Sequence, residues 1–254
     1  MNLSGKRALV TGGAVRIGRA ICEMLAARGC TVVVHYNRSR TEADELVGAL
    51  VAQGQRALSV KADISTEQGC DNLIESAWDR AGGLDILVNN AAIFMKDSIL
   101  AIDRKNMIAQ LKVNYVAPIL LTRSFAARAW QAVRTSSRGI AGKVVNLLDR
   151  RITANEPDSF SYSISKTLLS EFTLTAAREF APYLAVNGVA PGAILPPPGR
   201  CKTRTRELAG PQLLSHKCTP GDVAAAVIFL LESDGITGQV VFVDAGQHLG
   251  GKHG

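Results

Sequence analysis

Residues 7–19 read RALVTGGAVRIGR, a short apolar run that leads through adjacent glycines into a helical segment. We interpret this stretch as a buried strand, a tight turn at Gly12 and the start of a helix. Glycines let the backbone pass close to a pyrophosphate, and the free N–H groups and positive end of the helix attract its charge. A second strand, TVVVHY at 31–36, and a helix at about 41–52 follow. This βαβ context predicts a cradle for the phosphates of a dinucleotide.

The same alternation of strands and helices continues to the end of the chain. Strands are predicted near 7–11, 31–36, 56–61, 85–89, 143–148, 184–189 and 240–243, and helices near 16–28, 41–52, 66–81, 104–136, 160–181 and 222–232. Such alternation predicts a parallel sheet with helices on both faces. With 254 residues, 47% apolar content and only 5% aromatic residues, we expect one α/β domain, 1–254, built on a seven-stranded doubly wound sheet of the Rossmann type.

A second informative segment, DRRITANEPDSFSYSISK at 149–166, carries chemistry rather than architecture. Tyr162 and Lys166 are four residues apart, so on a helix they share one face. The Lys166 ammonium would then favour the Tyr162 phenolate, which makes the tyrosine a usable general acid near neutral pH. A carboxylate, Asp149, precedes the tyrosine by thirteen residues. The segment therefore predicts a proton-transfer site.

Together these motifs resemble the short-chain dehydrogenase/reductase family over nearly the whole chain. The matching segments are, in order, Thr11-Gly12 to Gly18, Asp63-Ile64, Asn89-Asn90-Ala91-Ala92, Asn114, Tyr162 with Lys166, and Pro191-Gly192. The resemblance implies hydride transfer between a nicotinamide and a small-molecule substrate. It implies the catalytic residues Tyr162, Lys166, Asp149 and Asn114, with Asn114 holding a water that links the lysine to solvent. A helix kink or a buried hydrogen bond is the alternative role of Asn114.

The end of the second strand favours NADP(H) over NAD(H). It reads His35-Tyr36-Asn37-Arg38-Ser39, with no carboxylate before Glu42 to bond an unmodified ribose. Arg16 and Arg38 can instead make charge-assisted bonds to a 2′-phosphate, with Ser39 as a neutral donor. NADPH is therefore the expected cofactor.

Further cofactor contacts are implied by the resemblance. The full predicted set is Thr11, Gly12, Arg16, Ile17, Gly18, His35, Tyr36, Asn37, Arg38, Ser39, Asp63, Asn90, Ala91, Lys166, Pro191 and Gly192. In this set Asp63 would accept from the adenine amino group and Asn90 would line the adenosine ribose. A helix N-terminal cap is the alternative role of Asp63, and Ser65 competes for it.

At two positions the sequence departs from the general family pattern and resembles the pteridine reductase branch of the family. Arg16 replaces the middle glycine of the turn, and Asp149 stands where a catalytic serine is usual. With Phe94, these residues imply a pterin substrate, bound by Phe94, Asp149 and Tyr162, with the phenylalanine stacked on the ring. Phe94 could otherwise belong to the core. The branch often has a serine at Ala92 and a second tyrosine at Ser159, so the exact substrate stays open.

The carboxylate at Asp149 separates two substrate classes. An ionised carboxylate would repel the alkoxide that develops on a reduced ketone. A dihydropterin C=N group instead offers N–H donors, and a protonated aspartic acid could pass a proton to nitrogen. Alternatively Asp149 pairs with Arg150 or Arg151 in a solvent-facing pair and Tyr162 acts alone. The functional alternatives are a carbonyl reductase of the 3-oxoacyl type and a non-catalytic NADP(H)-binding protein.

The basic, proline-rich segment 192–218 is predicted to be a substrate lid, with a plain surface loop as the alternative. Its cations contribute to a net charge of +7, but no DNA- or RNA-binding motif accompanies them, so we expect no nucleic-acid partner. They would help to attract an anionic ligand.

The remaining expectations concern location and assembly. The chain shows no apolar segment long enough for a membrane, and its five cysteines include no C-x-x-C pair. We therefore expect a cytoplasmic protein with reduced thiols, no metal and no membrane partner. The family resemblance implies a homotetramer built through the helices at about 104–136 and 160–181.

Overall fold

The computed structural model describes residues 1–134, 140–153, 156–194 and 212–250, without the side chains of 132–134. Its strands are β1 (Arg7–Val10), β2 (Thr31–Tyr36), β3 (Ala57–Lys61), β4 (Ile86–Asn89), β5 (Gly142–Leu147), β6 (Leu184–Pro191) and β7 (Val240–Val243). They form one seven-stranded sheet in the order β3-β2-β1-β4-β5-β6-β7. Each adjacent pair is parallel. The predicted doubly wound sheet of the Rossmann type is confirmed.

Helices cover both faces of this sheet. They are α1 (Arg16–Ala27), α2 (Arg40–Ala52), α3 (Glu67–Ala81), α4 (Arg104–Leu111), α5 (Ala117–Arg134), α6 (Phe160–Glu179) and α7 (Pro220–Glu232). Short 3-10 turns occur at Ile99–Ala101, Arg150–Ile152 and Gln247–Leu249. Within the described residues, no helix is both long and apolar enough to cross a membrane.

The five inner strands, β2, β1, β4, β5 and β6, are buried on both faces, which explains their nearly continuous apolar sequences, whereas the edge strands β3 and β7 are partly exposed. In β1, Leu9 packs into one core with Leu73 of α3 and Phe125 of α5. Its neighbour Val10 packs into the other core, with Leu25 of α1. Because alternate residues of a strand point to opposite faces, both cores need apolar side chains from every central strand.

The helix predicted at 104–136 is interrupted, which corrects the sequence expectation. A π-helical turn, Lys112–Val116, separates α4 from α5. It contains Asn114, whose fully buried amide bonds the main chain of Ile93 instead of facing solvent. Such wide turns occur mostly as single insertions within α-helices, often at functional sites. Other element ends differ from the prediction by one or two residues.

The strand order places the loops that matter at one edge of the sheet. The chain leaves β1 to one side through β2 and β3, and returns to the other side at β4. Residues that follow β1, β4, β5 and β6 therefore meet at the carboxyl ends of adjacent strands. Ligands of open α/β sheets bind in the crevice at such a switch point.

Candidate functional site

The glycine turn after β1 has the backbone geometry that its sequence predicts. Gly12 has φ +60°, and Arg16 has φ +56° in the position where a glycine is usual. A Cβ on Gly18 would lie 2.2 Å from the carbonyl oxygen of Gly12. Helix α1 thus begins in direct contact with the turn, and it has no acidic residue in its first turn. These features suit an anion at the helix N-terminus.

His35 lies under the glycine turn. Its side chain is only 2% exposed, its Nδ1 accepts from the Gly12 N–H at 3.1 Å, and its Nε2 bonds the Ala62 carbonyl at 3.2 Å. These partners require the neutral ring with the proton on Nε2. Burial lowers the pKa of His35 to about 4. The side chain therefore holds the turn in place from below, a role that the sequence pattern did not distinguish from a cofactor contact.

We expect His35 to make the protein sensitive to acid. Its pKa is about 4 when folded against an ordinary 6.5, so the unfolded chain binds more protons between these values. The stabilisation that neutral His35 contributes is complete above pH 6.5 and is lost as the pH falls towards 4. The free energy of unfolding should fall by roughly 3 kcal/mol over this range. Urea unfolding at a series of pH values should show this loss, and His35→Asn should flatten it.

The matched control for His35 is His216, whose side chain is 62% exposed. His216→Gln should leave the slope of stability against pH unchanged between pH 4 and 6.5. A His35→Asn protein with the wild-type slope would show that His35 does not carry the effect.

Thr11 and Asn90 join the loops that follow β1 and β4. The Thr11 hydroxyl oxygen accepts from the N–H groups of Asn90 at 2.9 Å and Ala91 at 3.0 Å. The Asn90 amide donates to the carbonyls of Thr11 at 2.8 Å and Gly12 at 3.1 Å. The structure therefore brings these four predicted residues together as one hydrogen-bonded unit.

The end of β2 presents cationic and neutral groups at the same edge. Tyr36 is buried, whereas Asn37 and Arg38 are exposed and Ser39 is half-buried. The exposed Arg16 belongs to the neighbouring turn. No carboxylate of the described chain lies between the end of β2 and Glu42.

Asp63 follows β3 with an exposed carboxylate. Its Oδ1 accepts from the Ser65 N–H at 3.0 Å, a bond that lowers the pKa of Asp63. The cap of α3 is Thr66, whose hydroxyl oxygen accepts from the Gly69 N–H. Neither Asp63 nor Ser65 is the helix cap, which corrects the alternative considered from the sequence.

Tyr162 and Lys166 lie in the first turns of α6 with both side chains buried. The Tyr162 hydroxyl donates to Asp149 Oδ2 at 3.1 Å. The Lys166 Nζ donates to the Leu147 carbonyl at 2.6 Å and lies 5.9 Å from the centroid of the Tyr162 ring. The three side chains therefore converge at the carboxyl end of β5.

The electrostatics of this group differ from the sequence expectation. Burial, and then the charge of Asp149, raise the pKa of Tyr162 well above its ordinary value. Burial lowers the pKa of Lys166 to about 8. The expected stabilisation of the Tyr162 phenolate is thus not found, because burial disfavours the charged phenolate and the neighbouring Asp149 carboxylate repels it. Tyr162 keeps its proton, as a general acid must before it acts.

Asp149 also pairs with Arg151. The Arg151 Nη1 lies 3.2 Å from Asp149 Oδ1 and 3.1 Å from Oδ2. The main-chain N–H of Arg151 also donates to Oδ1, at 2.9 Å. Both side chains are mostly buried, with 14% of Asp149 and 22% of Arg151 exposed. The pair with Arg151 considered from the sequence is therefore present, but it is mostly buried and not solvent-facing, and Tyr162 bonds the same carboxylate.

Phe94 stands beside Tyr162 and is not a core residue. It is 39% exposed, and its ring lies edge-to-face with that of Tyr162 at 5.0 Å between centroids. The chain just before it is fixed by Asn114, which bonds both the N–H and the carbonyl of Ile93 and donates to Ser165 Oγ at 3.1 Å. The kink and the buried hydrogen bonds considered for Asn114 are both present.

The end of β6 closes the edge of the site. Gly192 donates to the Val243 carbonyl, and the Ala193 N–H donates to Gln247 Oε1 at 3.2 Å. A Cβ on Gly192 would lie 2.5 Å from that oxygen. Most of the predicted lid at 192–218, namely 195–211, lies outside the described residues.

The sequence interpretation missed Asp97, which anchors the helix that carries Tyr162. Asp97 is 8% exposed, and its Oδ1 accepts from the Ser161 N–H at 3.0 Å. Its carbonyl accepts from the Phe160 N–H. An aspartate in a loop gives no signal in sequence that it caps a helix distant along the chain.

Comparison with known proteins identifies the family. The family described as short chain dehydrogenase matches residues 6–207. The chain belongs to this family of oxidoreductases.

Three similar proteins are informative. Pteridine reductase 1 of Leishmania tarentolae is 30% identical over 95% of this chain and 96% of its own. A 3-oxoacyl-[acyl-carrier-protein] reductase of Synechocystis sp. is 32% identical over 96% of this chain and 97% of its own. FolM alternative dihydrofolate reductase 1 of Brucella canis, solved with NADP, has a TM-score of 0.90 and 32% identity over 99% of this chain and 97% of that one.

Proposed function

We propose that the protein is an NADPH-dependent oxidoreductase that reduces the C=N bond of a pteridine. The observation that carries the proposal is the hydrogen bond from the Tyr162 hydroxyl to the Asp149 carboxylate. It puts an acceptor, not a hydroxyl donor, beside the general acid. The named pteridine and dihydrofolate reductases among the similar proteins support the same substrate class.

The residues at the glycine turn fit a dinucleotide. Gly12 and Gly18 leave the backbone bare where α1 meets the turn, and Arg16 stands at its rim. The exposed Arg38 and half-buried Ser39 would hold a ribose 2′-phosphate, and the exposed Asp63 would accept from the adenine. Since no acid follows β2 to bond an unmodified ribose, NADPH is favoured over NADH. Structures of similar proteins with NADP or NADPH bound support this choice.

The cofactor would supply a hydride to the electrophilic carbon of the substrate. Tyr162 would hold the proton that goes to the substrate nitrogen, and its raised pKa keeps that proton in place until transfer. Asp149 would accept from N–H groups of the heterocycle, and the exposed face of Phe94 would stack on the ring. Lys166 would bond the nicotinamide ribose.

A carbonyl reductase of the 3-oxoacyl type is the second candidate, favoured by the similarity to the Synechocystis enzyme. Asp149 opposes it, because a carboxylate beside Tyr162 would repel the alkoxide of a reduced ketone. A non-catalytic NADP(H)-binding role is a weaker candidate, since Tyr162, Lys166 and Asn114 are all present.

The test is NADPH oxidation at 340 nm with dihydrobiopterin, dihydromonapterin, dihydrofolate and 3-oxoacyl thioesters, each repeated with NADH. We expect turnover of at least one pterin and a higher kcat/KM with NADPH. A ketone reductase needs a hydrogen-bond donor at the position of Asp149. With a carboxylate there, we expect kcat/KM for the thioesters to be about 100-fold or more lower. Turnover of the thioesters alone would reject the pteridine assignment, and a preference for NADH would reject the cofactor assignment.

A homotetrameric assembly, a cytoplasmic location and a lid at 192–218 remain predictions. Two exposed apolar side chains lie within 104–136 and 160–181: Val116, at the end of the π-helical turn, is 39% exposed, and Leu168, on α6, is 37% exposed. Their position supports an interface through the helices proposed for the tetramer.

A further inference from the structure

The Arg151 guanidinium lies at the centre of the proposed substrate site. It bridges Asp149 and Glu156, with its Nη2 2.7 Å from Glu156 Oε2. The same group stands 5.8 Å from the ring centroid of Phe94 and 5.9 Å from that of Tyr162. Arg151 therefore touches every side chain to which we assign a role towards the substrate.

Arg151 makes most of the hydrogen bonds described for the Asp149 carboxylate. Of the four bonds, three come from Arg151, through its main-chain N–H and its Nη1, and the fourth comes from the Tyr162 hydroxyl. Arginine stays charged at any working pH, so its charge is always present beside the carboxylate.

The neighbouring arginine does not have this contact. Arg150 pairs with Glu156, and its side chain is 11% exposed. The two arginines thus share one glutamate, but the bonds described for Asp149 come from Arg151. Arg150 is a natural control, because it has the same charge and nearly the same burial.

We propose that Arg151 is a positioning residue that holds the Asp149 carboxylate against Tyr162, so that Asp149 orients Tyr162 and the substrate as a hydrogen-bond acceptor while Tyr162 supplies the proton. This inference rests on the proposed function, since it names how that site divides the two tasks.

The experiment compares kcat and KM for the wild type, Arg151→Met, Arg151→Lys and Arg150→Met, and repeats Arg151→Met in an Asp149→Asn background. We expect Arg151→Met to lose about 10-fold or more in kcat, with the KM for NADPH changed by roughly two-fold at most, because the carboxylate no longer holds the Tyr162 hydroxyl in place. Arg151→Lys should restore most of the wild-type kcat, and Arg150→Met should leave it unchanged. In the Asp149→Asn background Arg151→Met should cost nothing further, because Arg151 acts through Asp149.

Equal kcat in Arg151→Met and the wild type would overturn the proposal. A loss in Arg151→Met that is undiminished in the Asp149→Asn background would overturn it as well, because Arg151 would then act by another route.

The two proposals can fail separately. If thioesters are turned over and pterins are not, the pteridine assignment fails, but the same comparison of kcat with the thioester still tests Arg151. If pterins are turned over and Arg151→Met keeps the wild-type kcat, the pteridine assignment stands and the role of Arg151 fails.

Discussion

Tyr162→Phe should lose about 10³-fold in kcat, because a positioned general acid contributes roughly 10²- to 10⁴-fold. The substitution removes the hydroxyl that donates to Asp149 and keeps the ring that packs against Phe94. The loss should fall on kcat, with NADPH affinity changed by roughly two-fold at most, because the hydroxyl acts in the transition state. Steady-state kinetics with the best pterin and titration of NADPH fluorescence would measure the two effects.

Tyr183→Phe is the matched control. Tyr183 precedes β6, at the end of the strands away from the site, where its ring packs edge-to-face on Trp130. Loss of its hydroxyl should leave kcat unchanged. If Tyr162→Phe retained a tenth or more of the wild-type kcat, Tyr162 would not be the proton donor.

Gly18→Ala should abolish productive cofactor binding. The added Cβ would lie 2.2 Å from the Gly12 carbonyl oxygen and 2.6 Å from Asn90 Nδ2, so α1 must move away from the turn. A displacement of this order at a positioned site costs about 100-fold. We expect the Kd for NADPH to rise by that factor, and the free energy of unfolding to fall by about 1–3 kcal/mol, as in overpacked sites.

Gly48→Ala separates the effect of the clash from that of losing a glycine. Gly48 lies in α2, and a Cβ there would meet no atom within 4 Å. Alanine should stabilise this helix by about 0.5–1 kcal/mol and leave NADPH binding unchanged. Wild-type NADPH affinity in Gly18→Ala would show that the turn does not hold the cofactor.

The five inner strands could be predicted because they are buried on both faces and therefore have a local apolar signature. The glycine turn could be predicted for a related reason, since the positive φ of Gly12 is a local requirement. Tyr162 and Lys166 follow from helical spacing. In each case the physical cause lies within a few residues of the pattern.

The parts that escaped prediction depend on contacts between distant segments. The π-helical turn at Asn114 is set by the main chain of Ile93, which belongs to another loop. The raised pKa of Tyr162 depends on burial and on a carboxylate that reaches it only in the folded chain. The sequence does not show whether Arg150 or Arg151 bonds Asp149, because the answer depends on the 3-10 turn Arg150–Ile152 in which both arginines lie.

The strand order separates most of the proposed cofactor-binding residues, in the first half of the sheet, from the proposed catalytic residues in the second half. Most residues proposed to bind the adenosine end of the cofactor follow β1, β2 and β3, with Asn90 after β4 at the boundary, whereas the proposed chemistry follows β4 and β5. The hydrogen bonds of Thr11 with Asn90 join the halves at this boundary. Substitutions after β4 and β5 can thus change the substrate while the cofactor-binding residues of the first half are kept. Thr11 and Asn90 bond each other across the boundary, so these two residues must change together.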